Sequence, residues 1–251
     1  MFSKLQWQSD RMLYDGLVFR LEQVRTGDWT GNEFFRFFKR KKIVDKYEEF
    51  FQRHPDFHPE NIFELGIFDG GSVAFWFELF KPDKHIAIDL LDRQDSTYFE
   101  NYVTSRGLKE KIKTFWKTDQ SDKENLRRIA LANFTEPLDL VIDDASHMYE
   151  PTRASFEVLF PMLRPGGLYV IEDWAWGHWP AYIAAEHPWS VLESPAKLIT
   201  KLMDAAGTSI SLISNLTITK GFVVAERGDE IIADATSFNI DDYIVRRQDI
   251  V

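Results

Sequence analysis

Two short segments concentrate the acid–base chemistry of this sequence. Asp143-Asp144-Ala145-Ser146-His147 ends the apolar run that begins at Leu138, and Glu172-Asp173 ends the run that begins at Gly167. Carboxylates crowded together raise one another's pKa unless something positive sits among them. Either one of the four holds a proton, or a cation is bound. An all-oxygen donor set suits a hard divalent ion such as magnesium, which keeps several waters and accepts substrate oxygens. Asp143 and Asp144 are neighbours on an extended strand, so their side chains point opposite ways. The expectation is that one faces a cofactor and the other a substrate. His147, three residues after Asp144, is placed to reach a substrate hydroxyl, and an imidazole with an ordinary pKa of ~6.5 can take its proton at neutral pH. A helix-capping histidine is the plainer alternative.

The elements that must position these groups are legible as five β-like runs, starting at Ile62, His85, Lys111, Leu138 and Gly167. Their starts are 23, 26, 27 and 29 residues apart, which fits a strand, a loop and a crossover helix repeated. The runs are apolar on both faces, as strands covered by helices on both sides are. Two further runs, Ser209–Ile213 and Ile218–Glu226, are separated only by residues 214–217, too few for a crossover, and predict an antiparallel hairpin at the sheet edge. Residues 1–58 place aromatics among charges at helical spacing, as in residues 34–43 and 47–51, and are expected to form an N-terminal helical cap ended near His54-Pro55 and His58-Pro59. The basic residues between Arg36 and Lys42 read as a solvated helix face, with an anion-binding patch as the alternative. The expected fold class is therefore α/β. It is a Rossmann-like doubly wound sheet of mostly parallel strands over 59–230, with the cap before it, a C-terminal antiparallel hairpin, and a tail over 231–251.

Ligands in such sheets gather at the carboxyl ends of the strands. The turn after the first strand, residues 64–72, carries Glu64, Gly66, Gly70 and Ser72. Glycines there allow a tight turn and close approach of a ligand, and the first N–H groups of the next helix face it. A dinucleotide fold usually shows G-x-G-x-x-G, so that pyrophosphate rests on the helix N-terminus. This turn has G-x-x-x-G, with Phe68 at the middle-glycine position and acids at Glu64 and Asp69 that would crowd a pyrophosphate. A cofactor bearing a sulfonium and an ammonium suits it better, which points to S-adenosylmethionine. Asp89, ending the second strand, is placed to accept from both ribose hydroxyls. Asp119 or Gln120, after the third strand, is placed near the adenine. Asp143 is the fourth acid assigned to the cofactor. A helix N-cap is the alternative role for Asp119 or Asp122.

The Asp143–His147 segment, followed by residues 155–173 (Ser-Phe-Glu-Val-Leu-Phe-Pro-Met-Leu-Arg-Pro-Gly-Gly-Leu-Tyr-Val-Ile-Glu-Asp), resembles the metal-dependent sugar O-methyltransferases of macrolide biosynthesis. It is similar also to the related cephalosporin hydroxylase and rhamnosyl O-methyltransferase proteins. The resemblance runs from about Asn61 to Gly177. It implies that Asp144, Glu172 and Asp173 bind magnesium and that His147 is the base. The sequence departs from that pattern at Ala145, where glycine is common, and at Trp174 and Trp176, where the family is more polar.

Four of the eight tryptophans, Trp174, Trp176, Trp179 and Trp189, fall within sixteen residues. The segment 174–196 is also rich in turn formers, so it is expected to form an aromatic lid, with Trp174, Trp176 and Trp179 walling a substrate pocket. The chain has 251 residues, is 44% hydrophobic and contains no cysteine, which excludes disulfides and thiolate chemistry. No apolar run approaches the ~18–20 residues of a membrane span, and the first residues lack a signal-peptide core. With 30 basic against 40 acidic residues the formal charge is -10, which argues against a polynucleotide partner. The expected protein is a cytoplasmic O-methyltransferase acting on a hydroxylated small molecule, with homo-oligomerisation left open. Two rivals are a redox or accessory component of a hydroxylation system and a non-catalytic binder of S-adenosylmethionine.

Overall fold

The structure, a computed structural model, describes residues 2–21 and 33–245. Seven strands form the central sheet in the order β10-β11-β9-β8-β5-β6-β7. The five predicted parallel strands are there: β5 (Asn61–Leu65), β6 (Lys84–Ile88), β7 (Ile112–Phe115), β8 (Leu138–Asp143) and β9 (Leu163–Glu172). Between them run α2 (Gly71–Phe80), α3 (Thr97–Ser105), α4 (Lys123–Asn133) and α5 (Tyr149–Leu159). Ser96 caps α3 by accepting from the Phe99 N–H, and Asp122 caps α4 by accepting from the Asn125 N–H. After β9 come the short α6 (Pro180–Ile183) and then α7 (Ala196–Thr208).

The C-terminal hairpin exists with shifted bounds. Its strands are β10 (Ile213–Ile218) and β11 (Phe222–Arg227), not runs starting at 209 and 218. The chain reverses at 219–221, where Thr219 both donates its N–H to the Phe222 carbonyl and accepts the Phe222 N–H on Oγ1. Strand β11 lies between β9 and β10 and is antiparallel to both.

Residues 1–58 correct the expectation of a helical cap. A separate four-stranded sheet forms from β1 (Gln6–Trp7), β2 (Arg11–Tyr14), β3 (Leu17–Leu21) and β4 (Phe35–Phe37). Among the described residues of 1–58, only α1 (Lys41–Gln52) is a regular α-helix. Strands β2 and β3 are joined through Asp15 and Gly16, both at positive φ, with Tyr14 paired to Leu17. That is the two-residue hairpin that Asp-Gly favours. Residues 22–32, within the expected cap, and residues 246–251 of the expected tail lie outside the described residues.

Alternation along the buried strands sends side chains into two cores. Ile62, Ala87, Leu140 and Val170 face α1, α2, α3 and the small sheet, while Phe63, Leu65, Ile86, Val141 and Ile171 face α4, α5 and α7. Phe75 of α2 joins the small sheet to the first core. Its ring lies 5.0 Å from that of Phe37, 6.2 Å from Phe19 and 6.5 Å from Phe2. Truncating this buried ring leaves a cavity under the small sheet, so Phe75→Ala should cost roughly 3–5 kcal/mol of stability. Denaturant melts check this, and a loss below about 1 kcal/mol would show that the small sheet is not anchored through this ring.

Candidate active site

Strand order reverses between β5 and β8, and a cavity of about 350 Å³ opens at the carboxyl ends of β5, β6 and β8. This is where an open parallel sheet holds its ligand. Gly66, Ser72, Asp89, Asp119, Gln120 and Asp144, all anticipated from sequence, line it. Asp89 is fixed rather than mobile: Oδ2 accepts the Ile67 and Phe68 N–H groups at 2.8 Å and Oδ1 accepts that of Leu91. Asp119 is exposed and accepts from the Ser121 N–H and hydroxyl. The Gln120 amide is committed to bracing the site. It donates to Asp143 and Ser155 and accepts the Ser146 N–H.

Three residues assigned to the cofactor lie elsewhere. Glu64 sits mid-strand with its side chain in the interior, where it pairs with His85 Nε2 at 2.9 Å, and both residues are fully buried. Strand alternation turns it into the sheet's covered face, away from the rim. Gly70 is required by its left-handed φ of 78° and by the Phe99 ring, which a Cβ would meet at 2.3 Å. Gly71, not Gly70, reaches the cavity. Asp143 also points inward, accepting from Ser155 Oγ at 2.9 Å as well as from Gln120. Burial pushes its carboxyl up to about 7 despite these two donors.

The carboxylates that remain at the rim are Asp144, Glu172 and Asp173. Asp144, Asp173 and His147 bring ligand-type atoms within 4.8 Å of one another, and His147 Nε2 lies 3.8 Å from Asp144 Oδ1. Glu172 is drawn the other way. The Lys39 ammonium bridges it to Asp144, at 2.6 Å from Glu172 Oε1 and 2.7 Å from Asp144 Oδ2. The Tyr47 hydroxyl also donates to Glu172 at 2.8 Å. Burial works against the Lys39 charge, but the two carboxylates outweigh it and hold the ammonium protonated. The basic cluster is thus not a wholly solvated helix face: Arg36 and Lys39 are buried and line the cavity with Phe37 and Phe38, while Arg40, Lys41 and Lys42 are exposed. Lys39 and Tyr47 were not singled out from sequence. Residues 105 and 133 positions apart meet at Lys39, and no local pattern encodes such a meeting.

Backbone strain collects on this rim. Among the described residues six non-glycine residues have positive φ, and Phe68, Lys117, His147 and Asp173 of these follow the ends of β5, β7, β8 and β9. Such conformations persist where surrounding structure over-determines them. At His147 the support is visible, because Trp176 Nε1 donates to its carbonyl at 2.6 Å. Trp176 is therefore a buried brace, not a pocket wall, and packs against Trp189 and Tyr182. Trp174 donates to the Thr219 carbonyl and Trp179 packs on Tyr182. None of the three lines the cavity.

Gly66 adopts φ of 100°, and a Cβ on it would meet the Asp144 carbonyl oxygen at 2.3 Å. The turn after β5 and the Asp144 turn touch through this missing methyl. Gly66→Ala should therefore lower stability by more than ~1 kcal/mol and weaken ligand binding in the cavity; thermal melts with and without ligand check both. Asp69, in the same turn, is pushed up to about 6 by burial, opposed by the Arg36 N–H and the charges of Arg36 and Arg93. The folded state thus binds this proton more tightly than the unfolded chain. Stability should fall as pH rises from about 4 through 6. Asp69→Asn should remove that fall, so melting curves of the two proteins should converge at low pH and separate above about 6.

Residues 63–174 match a family model described as a methyltransferase domain. The chain is 35% identical over 148 residues to mycinamicin VI 2''-O-methyltransferase of Micromonospora griseorubida, covering 59% of this chain and 32% of that protein. It is 37% identical over 116 residues to 8-demethyl-8-alpha-L-rhamnosyl tetracenomycin-C 2'-O-methyltransferase of Streptomyces olivaceus, covering 46% and 27%. Among solved structures, MycE methyltransferase from the mycinamycin biosynthetic pathway, in complex with Mg, SAH and mycinamycin VI, superposes with a TM-score of 0.57 at 29% identity. That match covers 77% of this chain and 51% of the other. The matches thus span about a third of the length of the named relatives. Strand order and cavity position agree with the match of residues 63–174 to that methyltransferase domain model.

Proposed function

We propose that this chain is an S-adenosylmethionine-dependent, divalent-metal-assisted O-methyltransferase acting on a hydroxyl of a small natural product, a sugar or glycoside foremost. The observation that carries the reading is that Asp144 lines the same cavity as Gly66, Ser72 and Asp89. A methyl donor bound on the turn would then lie beside the acidic rim. The cavity volume falls within the ~300–1,000 Å³ of small-molecule sites. The first N–H groups of α2, at Gly71 and Ser72, have no acceptor within the helix and face this space. Asp89 is held by three backbone N–H groups, two on Oδ2 and one on Oδ1, which leaves Oδ1 a lone pair for a ribose hydroxyl. Asp119 is placed for the adenine end. The relatives agree with this reading: the solved one is a complex with Mg, SAH and mycinamycin VI, and the others are a mycinamicin VI 2''-O-methyltransferase and a rhamnosyl tetracenomycin-C 2'-O-methyltransferase.

Asp144 and Asp173 fit a hard cation, with Glu172 as third carboxylate and His147 beside them. When bound, such an ion supplies Lewis-acid polarisation of a substrate hydroxyl and fixes two adjacent oxygens. His147 Nε2 accepts the hydroxyl proton. The substrate oxygen bonds to the methyl carbon as the carbon–sulfur bond breaks, leaving a neutral thioether. Trp176 holds the His147 backbone in place. Trp174 and Trp179 flank the acidic rim in sequence and are proposed to meet the acceptor only at its periphery. The rest of the rate comes from alignment, because the sulfonium loses its charge during transfer.

The test is to incubate the protein with S-adenosylmethionine, magnesium and a panel of glycosides and vicinal diols, following S-adenosylhomocysteine and methylated product. Methylated acceptor is expected from at least one glycoside. His147→Ala should slow turnover by roughly 10²–10⁴-fold while leaving the dissociation constant of S-adenosylmethionine within about twofold. A matched loss of both would remove His147 from the role of base.

A further inference from the structure

The position of Lys39 carries a consequence for how the carboxylates take up their ion. Its side chain is 4% exposed, and its ammonium bonds one oxygen of Asp144 and one of Glu172. A divalent ion held by these carboxylates and a lysine ammonium held by the same carboxylates draw on the same lone pairs and repel each other at short range. We propose that Lys39 is a tethered counter-cation that competes with the divalent ion for Asp144 and Glu172, so that ion uptake requires its ammonium to withdraw. This rests on the metal-assisted reading above.

The surroundings allow that exchange by side-chain movement alone. Lys39 lies in the short link between β4 and α1, and both ends of the link are fixed. At one end the Arg36 carbonyl abuts Gly71, where a Cβ would sit at 2.1 Å. At the other, Tyr47 stacks on Phe222 at 4.0 Å and meets Trp76 edge-on at 4.8 Å. The link residues Phe38 and Lys39 line the cavity itself, so a withdrawn ammonium has open space to enter, where Asp89 and Asp119 also line the wall. Tyr47 stays on Glu172 in either state and keeps that carboxylate aimed at the rim. Without the ion, Lys39 neutralises a site that would otherwise bury uncompensated charge. With the ion, its release couples metal occupancy to the wall of the cavity that would hold the methyl donor. The cost of displacing it weakens ion affinity, and removing its charge should strengthen it.

Two measurements on the full chain test this. Manganese, as an electron-paramagnetic stand-in for magnesium, is titrated into wild type, Lys39→Met, Lys39→Gln and Asp144→Asn. Both Lys39 variants should bind manganese at least tenfold more tightly than wild type, and Asp144→Asn should lose binding. Equal or weaker binding by the Lys39 variants would overturn the competition while leaving the metal site in place. No binding by wild type and Lys39 variants alike would overturn the metal reading and the competition with it. The second measurement needs no variant: acetic anhydride labelling of Lys39, read by peptide mass spectrometry, should be suppressed in ion-free protein and rise several-fold when magnesium is added. Labelling unchanged by saturating magnesium would contradict withdrawal even if the variants fail to fold.

Discussion

Asp144, Glu172 and Asp173 end two adjacent parallel strands, and no fold can hold three carboxylates there without paying for their mutual repulsion. The compensation organises much of the surrounding structure. Lys39 reaches in from the segment before α1 to bridge two of them, and Tyr47 of α1 donates to Glu172. Tyr47 is itself fixed by stacking on Phe222 of β11, so the terminal hairpin strand supports the acidic rim from behind. The small N-terminal sheet belongs to the same logic. By packing Phe19 and Phe37 on Phe75, it sets where β4 ends and therefore where Lys39 begins. A region that first reads as a cap is thus part of the site's electrostatics.

The rim is held in place by groups that never face the cavity. Asp143, Gln120, Ser155 and Tyr169 form a buried network directly beneath Asp144. Gln120 extends it to the Ser146 N–H, which fixes the turn carrying His147. Adjacent aspartates therefore divide the work: the inward one anchors the loop and the outward one faces the cavity. Gly66 brings the turn after β5 against that loop, and Trp176 closes it from the other side through the His147 carbonyl. Positive φ at Phe68, His147 and Asp173 is the strain this bracing sustains.

The sheet was readable because its strands are buried on both faces, so each appears as an unbroken apolar run between crossover-length gaps. Leu138–Asp143 emerged with its bounds unchanged. The hairpin was displaced because α7 runs to Thr208 and the reversal is made by Thr219 and its neighbours, which carry no Asn-Gly or Asp-Gly signal. The reverse error occurred at the N-terminus. Doubled aromatics at Phe34-Phe35 and Phe37-Phe38 imitate helical spacing, although Phe35 and Phe37 share one face of a strand, and Asp15-Gly16 was the overlooked hairpin signal. Asp89, Gly66, Ser72 and Asp144 could be placed at the cavity from sequence because position at a strand end fixes where they lie. Glu64 and Asp143 were misplaced by one step of strand alternation, and the Lys39 bridge is a tertiary meeting that no short-range pattern contains.

The most direct test of the account is a crystal soaked with manganese and S-adenosylhomocysteine, with data collected for the anomalous signal of the metal. The manganese peak is expected among Asp144, Glu172 and Asp173, with the thioether sulfur in the cavity beside Gly66 and Asp89. A manganese peak remote from these carboxylates, or S-adenosylhomocysteine bound away from the β5 turn, would contradict it.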